Sequence, residues 1–518
     1  MRIIHNRAAG AGTPLELHWN YPGVVNTRRD RRHQPERHEA PGAWELREAL
    51  RAGEVSSREL VQSALDAAAA RAELGALVST EAELALAEAD EADRILSEAR
   101  PDERVSLPPL LGLPTVHKDL VDQRGHVTTH GSRAVPHARA AADDPIVAAV
   151  RAAGAVSIGK TQVPEFGIAG YSENEVAPPA RNPHDPGLTA GGSSGGTAAA
   201  IAAGIVPAAI ASDAGGAIPI PPGACGLVGL KPGRGVVPVD AANGIFDEIG
   251  APRMGVSGPV ARDARDAALW YDAILHPGSH RGSHPGSDAT GATTAVARAG
   301  ELTGLRIGVS LASPFAGWAD IVFSDDARAA LDAGIAALEC AGHAVDEADI
   351  RYDPRYPEAF TTVWTSGLAR MPLSAEAEGR LGPLARMFLE RARATSPERL
   401  GAAVEALREF AADASRQWGA YDAVLTPALA STPPRIGAFG DLGPEGDYRL
   451  QCEWAPQTSM VNVAGAPAVT APTWWTAPTP ERPAGLPMGV QVIGRAGSEF
   501  RLLQLAAQLM DRAQPRGQ

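Results

Sequence analysis

Lysine is almost absent from this chain: of 47 basic residues only Lys118, Lys160 and Lys231 are lysines, and the rest are arginines. Arginine keeps its proton at any useful pH, whereas a buried lysine can lose one, so lysine in an arginine background marks a need for a neutral amine or for a compact ammonium. Lys118 is read as the first case, and Lys160 and Lys231 as the second. Cysteine is equally scarce. Cys225, Cys340 and Cys452 lie far apart, and an odd, scattered set builds neither a disulfide framework nor a zinc cluster. A reducing cytoplasm is the expected compartment. Clustered positive charge is missing too: the net charge is −14 and the pI is near 5.5, which argues against a nucleic-acid partner. Long apolar runs are also lacking. Residues 1–20 hold no core of a secretion signal, and the most apolar stretch, 198–211, is too short for a bilayer and is broken by Gly204 and Pro207. It reads as buried interior, and no membrane partner is expected.

Residues 1–40 are rich in Arg, His and Asn without periodicity and read as a flexible N-terminal extension or as the product of an upstream start codon ahead of the folded part. Although 518 residues could hold several average domains, large α/β enzymes often form one unit, and residues 41–515 are expected to be a single domain. From Ala43 onward apolar residues recur at helical spacing, and Ser56 followed three positions later by Glu59 spells a capping box. Between 111 and 240, short apolar strands such as 115–116 and 155–158 alternate with Ala-rich helices such as 146–153. The pattern predicts an α/β fold with a sheet covered by helices. The Gly/Ser/His/Thr-rich stretch 276–295 cannot bury a core and is expected to be a surface loop. The span from Trp364 to Trp418 reads as helical and amphipathic, its arginines on a solvated face.

Two motifs are set aside on context. Gly154 to Thr161 satisfies a phosphate-loop spelling, but a helix precedes its first glycine and an apolar strand fills its middle, the inverse of what a phosphate loop needs. His126 with His130, and His276 with His280 and His284, have metal-like spacing. The first pair brackets poor helix material, however, and the trio is interrupted by Pro277 and Gly282, so no metal is expected. The run Gly191-Gly-Ser-Ser-Gly-Gly196 could be linker material by composition. It leads instead into a helix too apolar to face water, and glycines beside serines at a helix start let main-chain N–H groups and hydroxyls approach a reacting atom. An active-site role is the better reading.

The run from Gly191 to Val236 resembles the signature segment of the amidase signature family, whose members cleave amide C–N bonds with a lysine and two serines. Pro114 to Asp119 resembles the family's lysine strand, Ser212 to Ile218 its nucleophile loop, and Cys225 to Pro232 the turn after it. Further similar segments fall at 255–259, 425–427, 462–467 and 489–494, so the resemblance spans roughly 43–512. It implies a mixed β-sheet core enclosed by α-helices, a small-molecule amide as substrate or ligand, and no cofactor. It leaves a homodimer open. It further implies that Lys118 is the ultimate base, that Ser193 relays the proton from within a cis peptide, and that residue 217 attacks the carbonyl. The N–H groups of Ala214, Gly215, Gly216 and Ala217 would form the oxyanion hole, with Gly191, Gly192 and Ser194 beside the substrate. A lysine base must be buried away from carboxylates, and alternation along a strand predicts that Asp119 points away from Lys118.

Ala217 has no hydroxyl, so this chain as written lacks the attacking group that the resemblance implies. Ser194 and Cys225 are weak substitutes, the first adjacent to the relay serine and the second beyond the loop. Pro219 stands where the family usually has arginine, and Ala214 and Pro222 also depart from its pattern, so both an introduced change at 217 and natural divergence stay open. Three expectations follow: an amide hydrolase active when position 217 carries serine, a diverged ligand-binding or partner-regulating pseudoenzyme, or proton-transfer or condensation chemistry without an acyl-enzyme. Tyr171, Trp364, Trp474 and Trp475 are candidates to line an apolar pocket.

Overall fold

The computed structural model describes residues 40–276, 291–480 and 482–512. The extension expected over 1–40 therefore lies outside the described residues except for Ala40, as does most of the loop expected over 276–295. On the far side of that loop the chain is already helical at Ala292–Ala297.

Among the described residues thirteen strands build three sheets: β1 (Leu77–Thr80), β2 (Pro114–Lys118), β3 (Val156–Thr161), β4 (Arg181–Asn182), β5 (Asp185–Thr189), β6 (Ala208–Asp213), β7 (Val228–Lys231), β8 (Val256–Ala261), β9 (Arg306–Val309), β10 (Ala344–Glu347), β11 (Ala423–Pro427), β12 (Ala468–Trp475) and β13 (Pro487–Gly494). The largest sheet has eight strands in the order β10-β9-β11-β13-β12-β7-β8-β6. Its β10-β9-β11 edge is parallel, and every later pair is antiparallel, so the sheet is mixed. A second sheet, β1-β3-β2, abuts it where Thr115 Oγ1 donates to Ala208 O of β6 at 3.2 Å. β4 and β5 form a small hairpin.

Strands such as β7, β8 and β13 are buried at every position. Burial on both faces explains their near-continuous apolar sequence, because helices cover each side. Asp325–Cys340 and Glu499–Arg512 pack on the β12–β13 region from one side. The short, wholly apolar helix Ile220–Cys225 packs on β12 and β13. Gly195–Ala202, equally apolar, fills the space among β2, β3 and β6.

The Ser56–Glu59 capping box forms at the start of the helix Ser57–Ala70, with Glu59 N donating to Ser56 Oγ at 3.1 Å and Ser56 N to Glu59 Oε2 at 2.9 Å. The helical region expected from Trp364 begins earlier and is divided into Tyr356–Ala369, Ala375–Glu378, Pro383–Ala394 and Pro397–Trp418. Pro383 and Pro397 stand in first turns, where proline loses no intrahelical bond but cannot continue the preceding helix. Among the described residues, no helix is long and apolar enough to cross a membrane.

Candidate active site

Three chain segments meet at the end of β2. The strand delivers Lys118, the loop 191–194 enters the helix Gly195–Ala202, and β6 ends at Asp213 before the turn that starts the helix Ile220–Cys225. Lys118 is 2 % exposed. Its Nζ lies 2.7 Å from Ser193 Oγ, 3.0 Å from Ser212 O and 3.4 Å from Ser212 Oγ. Among the described residues no carboxylate touches it, so burial pushes the amine down to about 7, with the charge of Asp213 pulling weakly the other way. Asp119 faces the opposite side of the strand, 3.5 Å from Lys160 Nζ and hydrogen-bonded to Thr129.

The Gly192–Ser193 peptide is cis. Gly192 is pressed so closely on Tyr171 that an added Cβ would sit 2.5 Å from its backbone, so no side chain fits there. Ser172 braces the loop, its Oγ accepting from Gly195 N at 3.0 Å and donating to Ser193 O at 3.4 Å. Ser194 turns inward, with Oγ 3.5 Å from Ser212 O.

The loop after β6 is organised by one carboxylate. Asp213 Oδ1 accepts from Gly216 N at 2.7 Å and from Asn462 Nδ2 at 2.8 Å, and its Oδ2 accepts from Ile218 N at 2.7 Å. Thr458 Oγ1 donates to Gly215 O at 2.9 Å. Gly216 has φ +135°, a conformation open to glycine, and a Cβ there would meet Thr458 Oγ1 at 2.5 Å. This geometry corrects one expectation. The Gly216 N–H is committed to Asp213 and braces the loop, so it is not a free oxyanion donor. The N–H groups of Ala214, Gly215 and Ala217 have no protein acceptor among the described residues.

Lys118, Gly192, Ser193 and residues 212–217 line one cavity of about 330 Å³. Phe315, Phe360, Trp364 and Tyr448 line it too, with Cys452, Gln451, Thr458 and Ser459. Of the four aromatic residues expected there, only Trp364 lines it. Tyr171 stacks on Phe439 at 4.4 Å and donates to Asp447 at 2.6 Å. Trp474 donates its indole N–H to Asp326 at 3.1 Å, and Trp475 meets His184 edge-on at 5.2 Å. Cys225 lies outside the cavity, its thiol 3.6 Å from Ala190 O and its pKa pushed up by burial. A smaller cavity adjoins, sharing Ile168 and Ala169.

Asp213, Asn462, Thr458 and Ser172 are the positioning residues that sequence reasoning missed. An acid directly before Ala-Gly-Gly was the available signal for Asp213, since a carboxylate there can cap N–H groups two to five residues on. The others come from remote segments. Among the described residues, no group of three or more His, Cys, Asp and Glu is placed to hold a metal ion, and His280 and His284 lie outside them.

The sequence model of the family described as Amidase matches residues 59–503. AmiB2 of Mycobacterium tuberculosis, an amidase by assignment, is 36 % identical over 413 residues, covering 77 % of this chain and 82 % of its own. One component of the glutamyl-tRNA(Gln) amidotransferase of Burkholderia pseudomallei is 32 % identical over 501 residues, covering 90 % of this chain and 96 % of its own. Among solved structures, a 6-aminohexanoate cyclic dimer hydrolase complexed with substrate superposes with a TM-score of 0.75 at 28 % identity, covering 91 % of this chain and 97 % of that one.

Proposed function

This chain belongs to the amidase signature family, and from that premise we propose that its cavity binds a small amide within a Lys-Ser-Ser hydrolytic site whose attacking hydroxyl is missing at Ala217. Neutral Lys118 is the base, Ser193 passes the proton between the nucleophile and the leaving amine, and residue 217 is the point of attack. The free N–H groups of Ala214, Gly215 and Ala217 receive the oxyanion. The observation that carries this reading is the 2.7 Å contact between a buried amine, held near 7, and Ser193, on the wall that also bears Ala217.

A methyl group cannot form the acyl-enzyme. In another serine hydrolase, loss of the nucleophile costs on the order of 10⁶ in turnover. The test is Ala217→Ser, assayed on a broad panel of simple and aryl amides: hydrolysis should appear, and no gain over the alanine form would remove the hydrolase reading. A second reading has one observation in its favour, because the nucleophile is missing while the brace of Asp213, Asn462 and Thr458 is intact. A diverged protein that keeps the pocket for binding would show a ligand that raises the melting temperature of the alanine form without being consumed, and turnover would exclude it. The scarcity of cysteine supports a cytoplasmic setting for either reading.

A further inference from the structure

The geometry points to a narrower ligand class: an uncharged amide with a flat, apolar acyl group that stacks on Trp364, the specificity-determining residue of this cavity. The inference rests on the reading that the carbonyl binds at the 214–217 loop. Two sides of the cavity can then be distinguished. Ser193 Oγ lies beside Gly167, whose added Cβ would come within 3.7 Å of it and within 2.5 Å of Leu120. A relay hydroxyl hands its proton to the leaving nitrogen, so the amine belongs on that side. On this reading the acyl group projects away from Gly167 and over Gly215. There the Trp364 ring lies so low that a Cβ on Gly215 would be 3.4 Å from its Cη2 and 3.5 Å from its Cζ3.

Trp364 ends an aromatic ladder on one face of the helix Tyr356–Ala369. Tyr356 stacks on Phe360 with centroids 5.5 Å apart and planes 7° apart, and Phe360 stacks on Trp364 at 5.5 Å and 20°. The i, i+4 spacing puts the three rings in register, and Phe315 locks the middle one edge-on at 6.1 Å. The first two rings are buried, while Trp364 is only partly buried and opens on the cavity. A planar group on the ligand would be the next rung, with the offset stacking that aromatic faces favour.

Among the described residues the cavity offers no free partner to a charged substituent. Its ionisable lining groups are Lys118, Asp213, Tyr448 and Cys452. Lys118 is held by Ser193 and Ser212, Asp213 is saturated by three donors, the Tyr448 hydroxyl pairs with Thr361 at 2.9 Å, and burial keeps the Cys452 thiol protonated. Gln451 is spent at both ends, on Gly170 N and Asp447. A carboxylate or ammonium carried in would be desolvated without a partner.

Calorimetric titration of the Ala217 protein with benzamide, acetamide and 4-carboxybenzamide tests this. Benzamide should bind at least tenfold tighter than acetamide, and 4-carboxybenzamide should not bind measurably. Trp364→Ala should weaken benzamide at least tenfold with acetamide unchanged, and Trp364→Phe should keep most of the preference. Trp364→Leu, with apolar bulk but no flat face, replaces the alanine variant if that fails to fold. Equal binding of benzamide and acetamide, tight binding of 4-carboxybenzamide, or indifference to Trp364 would overturn the proposal. If Ala217→Ser cleaves acetamide and benzamide with equal kcat/KM, the selectivity falls and the hydrolase reading stands. If it cleaves neither while benzamide binding still depends on Trp364, the hydrolase reading falls and the ligand class stands.

Discussion

Lys118 and Lys160 sit on paired strands, β2 and β3, and leave them toward opposite surroundings. In the register of the two strands Lys118 is opposite Thr161 and Lys160 opposite His117, and both side chains are almost wholly buried. Lys118 enters a cavity among hydroxyls and one carbonyl. Lys160 turns into packed interior, 3.5 Å from Asp119 and donating to Val121 O at 2.6 Å and to Thr128 Oγ1 at 2.9 Å. Burial lowers both amines, but at Lys160 a touching carboxylate opposes it, whereas at Lys118 the nearest acid acts only through space. Depth alone therefore does not decide how readily an amine gives up its proton. The sign of what touches the nitrogen does, and one strand separates the two outcomes by placing Asp119 directly after Lys118 and facing the other way.

The sharpest way to break this contrast is to remove each amine where turnover can be read. In an Ala217→Ser background, Lys118→Met should lower kcat by on the order of 10⁴ or more, because the residues of such a set act as a unit. Lys160→Met should change kcat per folded molecule by less than about tenfold, since its amine does not reach the cavity. Active-site-titrated rates check both, and equal losses would mean that the two lysines share one network.

Stability should show the reverse ranking. Lys160→Met strands the Asp119 carboxylate in the interior with Thr129 as its one remaining partner among the described residues, and breaking a buried ion pair from one side costs about 3–5 kcal/mol. Urea unfolding of the Ala217 protein measures this directly. A cost under about 1 kcal/mol would show that Asp119 does not depend on the ammonium, and the two sites would then differ less than their geometry implies.

The parts of this contrast that are local were legible in the sequence. Alternation alone separates Lys118 from Asp119, and a serine and a glutamate three apart announce the cap at Ser56. The span from Trp364 to Trp418 was expected as one helical region, and the structure divides it at Pro383 and Pro397. Sheet order was not legible. β7 pairs with β12 across more than two hundred residues, and β13 lies between β11 and β12, arrangements set by how helices cover the two faces. In the site, the motif residues 118, 193 and 217 come to one cavity, but the Gly216 donor was misjudged because Asp213 competes for it from only three residues away. Of the five described aromatic side chains that line the cavity, Phe166, Phe315, Phe360, Trp364 and Tyr448, only Trp364 was expected there. Tyr356, Phe360 and Trp364 share a helix face that the i, i+4 spacing gives away, whereas Phe315 and Tyr448 reach the cavity from segments that only tertiary packing brings near.

The effect that is smallest per pH unit is also the one that tests the sign of the Lys118 environment. Its amine releases its proton near pH 7 when folded and near 10.5 when unfolded, so between those values the unfolded chain binds more protons. Stability at this group then rises with pH across that window, by about 1.4 kcal/mol per pH unit, and is flat below 7, where both states are protonated, and above 10.5, where neither is. The same titration sets the rate of the Ala217→Ser protein, which should fall about tenfold per pH unit below 7 as the neutral amine is lost. Lys118→Met removes the linkage, so the stability difference between parent and variant isolates it from every other titrating group. A difference that stays constant from about pH 7 to about pH 10 would mean that Lys118 keeps its proton in the fold, and its environment would then be no different in kind from that of Lys160.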